Sequence, residues 1–154
     1  MTSWPNETPL INTSWPVPSV GWPDTIANVP YNYGAGPAAS VPASWLDGAN
    51  CQRFAYGVLS LFAITCPALA SSELWQEHEV TRVVLTPEPL DLIVFNSTSD
   101  PYGAHVGVWM TDTEILHLCR EEGRPASWSL DDFARRPRYA HLIGCKRVAG
   151  DVIR

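Results

Sequence analysis

The reading begins at Asn50-Cys51-Gln52-Arg53-Phe54-Ala55-Tyr56-Gly57-Val58-Leu59. Leu46-Asp47-Gly48-Ala49 before it reads as a loop, and Phe54, Val58, Leu59, Leu61 and Phe62 recur at roughly helical spacing. The pattern predicts a mostly buried helix with Cys51 on its first turn, ending near Thr65 before Pro67. A helix N-terminus presents unpaired backbone N–H groups and the positive end of the macrodipole. Both favour a thiolate, the nucleophilic form of cysteine. Taken alone, Cys51 is equally compatible with an inert core cysteine.

Outward from that helix, the chain divides into a helical first half and a strand-rich second half. Asp24 to Val29 has room for one or two helical turns, and Ser71-Ser72-Glu73-Leu74-Trp75 reads as a second helix start with Ser as N-cap. Val80 to Leu85 is β-branched, and Leu90 to Phe95 is a buried strand between Pro89 and Asn96. His105 to Met110 and Glu114 to Cys119 flank Thr111-Asp112-Thr113 as a hairpin. Ser129-Leu130-Asp131-Asp132-Phe133 suggests a short capped helix, and Tyr139 to Val148 a final strand. Helices followed by an antiparallel sheet indicate the α+β class.

With a three-residue loop at Met110 to Asp112, Trp109 opposes Thr113 and His105 opposes His117. Opposed residues share a face with Cβ atoms about 5 Å apart. If the Cys51 helix packs there, a thiol, a base and a group orienting that base converge, the logic of cysteine hydrolases. His78 and His141 gain nothing from the pattern and are assigned to structure. A zinc site on Cys51, His105 and His117 lacks a fourth ligand with any spacing signal, so no metal and no cofactor is expected.

Composition narrows the class. The 154 residues suit one domain with a sizeable core. The net charge of −6 gives no support for nucleic-acid binding. That charge is uneven: residues 120 to 154 hold eight basic and five acidic residues, +3, and residues 1 to 119 hold two and eleven, −9. Arg135-Arg136-Pro137-Arg138 reads as solvated surface rather than a phosphate site. Cys51, Cys66, Cys119 and Cys145 match neither a zinc motif nor a disulfide framework and read as reduced thiols. No signal peptide and no apolar run of membrane-spanning length is seen, so a cytoplasmic location without membrane contact is expected, export by a dedicated system being the alternative. Residues 1 to 28 form a Trp- and Pro-rich arm, with Thr2-Ser3-Trp4-Pro5 echoed by Thr13-Ser14-Trp15-Pro16. It is expected to pack on the domain formed by residues 29 to 154, a proline-rich partner ligand being the alternative.

Four segments in order resemble the NlpC-type cysteine peptidases, a branch of the papain-like superfamily that cleaves peptidoglycan peptides. Pro30-Tyr31-Asn32-Tyr33-Gly34-Ala35 is similar to the family's Pro-Tyr-x-Trp-Gly-Gly, and Asn50-Cys51-Gln52-Arg53-Phe54 to its Asp-Cys-Ser-Gly-Phe. Pro89-Leu90-Asp91-Leu92-Ile93-Val94-Phe95 is similar to Pro-Gly-Asp-Leu-x-x-Phe. His105-Val106-Gly107-Val108-Trp109 with Leu116-His117 is similar to His-Val-Gly-Ile-Tyr followed by Ile-His. The resemblance spans residues 29 to 119. It implies nucleophile Cys51, base His105, orienter His117, a role for Tyr31 near the oxyanion or substrate, and the backbone N–H of Cys51 as an oxyanion donor. It implies hydrolysis of a peptide or γ-glutamyl-type amide through an acyl-enzyme, on a peptide or small amide substrate of the cell-wall kind. Asn50 and Gln52-Arg53 depart from the pattern at positions that hold the substrate's free amine in part of the family. A catalytically inactive papain-like binding module and a thiol acyltransferase are the competing readings.

Overall fold

The computed structural model describes residues 23–149. Most of the Trp- and Pro-rich arm, residues 1–22, lies outside the described residues. Helix α1 is Asp24–Ala27, α2 Cys51–Ser60, α3 Ser71–Gln76 and α4 Leu130–Ala134. The strands are β1 Thr81–Val84, β2 Asp91–Asn96, β3 His105–Thr111, β4 Glu114–Leu118, β5 Pro125–Trp128 and β6 His141–Val148. They form one antiparallel sheet in the order β1-β6-β2-β3-β4-β5. The α+β expectation holds. Among the described residues no helix is long and apolar enough to cross a membrane.

The central strands are apolar on both faces because both faces are covered. Leu92, Val94, Val106, Val108, Leu116 and Leu118 share one core with Phe54, Val58 and Leu59 of α2. Ile93, Phe95 and Ile115 share the other with Trp128, Phe133 and Tyr139. That second wall comes from β5, α4 and the turn after it, where Phe95 and Phe133 stack 4.0 Å apart. Strand β5 was not foreseen: four residues with a proline and a serine carry no strand pattern, and pairing with β4 alone selects the conformation.

Helix α2 ends at Ser60, earlier than expected. The chain turns through Ala63, at φ 63°, and Ile64 N–H returns to Leu59 C=O at 3.2 Å. This is a C-terminal reversal of the kind glycine usually provides. Gly57 in the helix interior makes room for Trp45. A Cβ there would sit 2.2 Å from the indole, which meets Phe54 edge-on. The predicted N-cap of α3 is displaced by one residue: Ala70 is the N-cap, its N–H held by Glu73 at 2.8 Å. Buried Ser71 instead bridges to the loop before β3, donating to Pro101 C=O at 2.7 Å and accepting Ala104 N–H at 3.0 Å.

Three buried charged residues lock the sheet. Asp91 pairs with Arg147 through two hydrogen bonds of 2.8 Å, tying the start of β2 to the end of β6. Lys146, fully buried, donates to the carbonyls of Leu74, Trp75 and Glu77 at the C-terminal end of α3, where a cation suits the helix dipole. Leu90 precedes Asp91 at φ 75°, in the left-handed region, where the related motif has glycine. Its side chain is buried, and that burial opposes the backbone cost of about 1–2 kcal/mol.

Gly57→Ala separates two effects of opposite sign. Helix propensity alone would stabilise by about 1 kcal/mol. Overpacking against Trp45 costs about 1–3 kcal/mol. Urea unfolding should show a net loss; a gain would mean that Trp45 does not seat on α2.

Candidate functional site

Cys51 opens α2 because the residues before it are laced in place. Ala49 N–H bonds Pro30 C=O at 3.2 Å, Asn32 N–H bonds Ala49 C=O at 2.8 Å, and Asn50 N–H bonds Ala35 C=O at 2.8 Å. Tyr31 N–H reaches Gly123 C=O at 3.0 Å. Asn50 caps the helix through its side-chain oxygen, which accepts Arg53 N–H at 2.9 Å, and its amide nitrogen donates to Gln52 at 2.8 Å. Arg53 ties the first turn back to Gly48 and Pro42 carbonyls. The Pro-Tyr segment thus sets where the thiol stands.

His105 begins β3, fixed by pairing with Phe95 of β2 and by the Ser71 bridge one residue earlier. Its Nε2 lies 2.9 Å from Nδ1 of His117. The two rings meet at 89°. The predicted register needs correction. Trp109 opposes Ile115, not Thr113, because the loop is Asp112-Thr113, closed by Thr111 opposite Glu114, and the pairing shifts between Trp109 and Thr111. Continuing that register sets His117 across from Gly107, and His105 is its diagonal neighbour. A Cβ on Gly107 would stand 3.4 Å from the His117 Cβ and 3.0 Å from Ile115, so glycine opens the space the diagonal pair occupies.

The histidines also lie on the sheet face opposite α2, within the aromatic wall. His117 packs at 4.2 Å from Trp128 and 4.7 Å from Phe133, and His105 at 4.8 Å from Tyr139. Cys51, on the other side, shares with His105 the space at the end of the sheet. Both residues line one cavity of about 480 Å³, with Tyr31, Arg120, Arg138 and Tyr139 among its other walls. That size suits a small-molecule or peptide-end site. His117 is fully buried behind His105, and its Nε2 meets no hydrogen-bond partner. His78 and His141 are exposed and stand outside the cavity. All four cysteines are free thiols, and no cluster of three metal-ligating side chains exists among the described residues.

The electrostatics depart from the expected thiolate. Burial pushes the Cys51 thiol up to about 11, against the backbone N–H groups of Val106, Gln52 and Cys51 itself, which favour the anion. Burial pulls His105 down to about 3, and it also holds His117 well below the usual range, helped by His105 and Arg136. Burial thus works against both charged forms, the thiolate and the imidazolium, and the resting pair is neutral.

Sequence reading missed Arg120, Arg138 and Tyr139 on the cavity wall. The cue available for the arginines was the +3 charge of the C-terminal segment. Nothing in the local pattern marked Tyr139, whose hydroxyl donates to Glu121 at 2.7 Å.

No protein-family model and no curated protein matches this sequence. Solved structures do. NlpC1 from Trichomonas vaginalis superposes with a TM-score of 0.57 at 18% identity, over 83% of this chain and 42% of the other. NlpC2 from the same organism gives 0.57 at 17% identity, over 83% and 44%. A Staphylococcus aureus protein of the NLP/P60 family, described as similar to a lipoprotein, gives 0.53 at 20% identity, over 82% and 38%. The chain spans less than half the length of these proteins.

Acid stability tests the burial of the two imidazoles. Unfolded histidines take up protons below about pH 6.5, whereas folded His105 does so only near about 3. The unfolded state therefore binds more protons in that window, and stability, fully present above it, falls as pH drops. Each buried ring contributes up to about 1.4 kcal/mol per pH unit. Urea midpoints between pH 7.5 and 5 should fall steeply, with a shallower slope in His117→Gln; equal slopes in both proteins would contradict a buried neutral His117. On the sheet order, the two covered faces and these superpositions, the chain has an NlpC/P60-type, papain-like fold.

Proposed function

We propose that this domain is a cysteine hydrolase that cleaves an amide bond, of a peptide or γ-glutamyl-type substrate such as a cell-wall peptide. The observation that carries the reading is the shared cavity: Cys51 at a helix start and His105 at a strand start face it, and His117 holds His105 from behind at 2.9 Å. Tyr31 on the same wall is assigned to the substrate or the oxyanion. The NlpC-named and NLP/P60 relatives in fold support the class.

The chemistry follows from which nitrogen is free. His105 Nε2 is committed to His117, so Nδ1 is the atom that serves the thiol. That role requires Nε2–H to donate to His117 Nδ1, with the remaining proton of His117 on its own Nε2 against the aromatic wall. Because thiol and imidazole rest neutral, proton transfer accompanies attack: Sγ bonds the carbonyl carbon as its proton passes to His105 Nδ1. The backbone N–H of Cys51, at the helix start, is assigned to the developing oxyanion. His105 returns the proton to the leaving nitrogen, the C–N bond breaks, and a thioester remains. Water, deprotonated by His105, then splits the thioester to a carboxylic acid and restores the thiol. His117 stabilises the imidazolium that appears in both halves.

Cys51→Ala and His105→Ala should abolish turnover of wall-derived peptides while leaving the fold intact. His117→Ala should lower kcat by roughly 10- to 10⁴-fold. His117→Asn should retain more activity than His117→Ala, since its carbonyl oxygen still accepts from His105 Nε2–H. Full activity in His117→Ala, with thermal midpoints compared on the same proteins, would remove His117 from the mechanism. Full activity in Cys51→Ala would overturn the hydrolase reading.

A further inference from the structure

The cavity is charged against the grain of the chain. In a protein of net charge −6, its lining holds Arg120, just after β4, and Arg138, in the turn after α4, and no aspartate or glutamate. Both arginines are exposed, and neither has a carboxylate within ion-pair distance among the described residues. The neighbouring acids lie outside the lining: Glu121 accepts the Tyr139 hydroxyl, where its charge is felt by His105 and Arg138, and Glu122 accepts the Trp128 indole N–H at 3.2 Å. Other cations of the same basic segment are also committed. Arg135 pairs with Asp132, Arg136 lies 3.9 Å over Trp128, and Arg147 is bound to Asp91.

The other side of the thiol adds no opposing charge. Asn50 and Gln52 are neutral, and each amide is spent on the other or on the helix cap. Arg138 lies near enough for its charge to favour the Cys51 anion, and at His105 it opposes the pull of Glu121 toward the cation. Guanidinium groups offer paired N–H donors in the plane that carboxylate and phosphate oxygens match.

We propose that this cavity selects a substrate bearing an anionic group, carboxylate or phosphate, beside the scissile amide, held by Arg120 and Arg138. The inference rests on the hydrolase reading for the scissile amide, not for the anion preference. Because both arginines face solvent, they act more on selectivity and capture than on tight affinity, and added salt weakens them.

Paired alkylating reagents of similar shape and different charge read this directly. Iodoacetate and iodoacetamide are applied to the full chain at low salt, and labelling at Cys51 is followed by peptide mass spectrometry. A neutral free thiol, 2-mercaptoethanol, gives the intrinsic ratio of the two rates. At Cys51 the iodoacetate-to-iodoacetamide ratio should exceed it by roughly three- to tenfold, the order that one or two nearby solvent-exposed charges supply. The excess should vanish in Arg120→Gln/Arg138→Gln, survive in Arg138→Lys, and shrink with salt. An equal ratio in wild type and double variant overturns the proposal. Alkylation needs no turnover, so failure of the hydrolase reading leaves this test intact. Ligand-observed NMR with N-acetylglutamate, its neutral diamide and methyl phosphate separates the sources. A carboxylate or a phosphate that binds wild type but not the double variant supports the proposal and names the group. Binding of the diamide as tightly as either anion overturns it.

Discussion

Two imidazole rings bonded across 2.9 Å in a buried aromatic pocket are the constraint on which this structure turns. Each ring supplies the other with one hydrogen-bond partner. An isolated buried imidazole nitrogen loses water without gaining a partner, at a cost of about 1–3 kcal/mol. The pairing satisfies one nitrogen of each, and it demands much of the surrounding chain. Gly107 must lack a side chain, the β3–β4 register must set the histidines on a diagonal, and Phe133, Trp128 and Tyr139 must close the pocket. The second face of the sheet is thus built around a polar pair rather than a plain apolar core.

The same burial decides the chemistry at the cavity. The start of α2 points backbone N–H groups at Cys51, yet desolvation outweighs them and the thiol stays protonated. A helix end stabilises an anion by about 0.3–1 kcal/mol when exposed, a small effect beside the removal of solvent. A neutral thiol and a neutral imidazole remain, able to exchange a proton when a carbonyl arrives. Arg138 supplies a charge at the cavity wall that biases the pair toward the anion at sulfur.

Much of this was legible in the residues. The apolar spacing after Cys51 placed the thiol at a helix start, the run Leu90 to Phe95 announced a buried strand, and two histidines flanking a turn announced their meeting. The register was not legible, because one loop residue more or less moves every partner and nothing local in Thr111-Asp112-Thr113 fixes the turn. The aromatic wall was missed for a different reason. Trp128, Phe133 and Tyr139 come from a short strand, a short helix and a turn, none with a periodic pattern, and only the sheet brings them together. Leu90 is a third case: a left-handed backbone held by a leucine is set by burial and by the Asp91–Arg147 pair beside it, not by local preference. The arginine run was read as solvated surface, which describes exposed Arg135 and Arg138, the latter at the cavity rim, while Arg136 is half-buried over Trp128.

The account stands on a shared proton between buried, neutral rings. Nitrogen NMR of the full chain labelled at histidine measures it, by following the ring nitrogens of His105 and His117 across pH 5 to 8. The structure predicts that His105 Nε2 and His117 Nδ1 report one hydrogen-bonded proton between them and that neither ring titrates in this range, while exposed His78 and His141 serve as internal references. Two independently titrating imidazoles at positions 105 and 117, with no proton shared between them, would contradict the account.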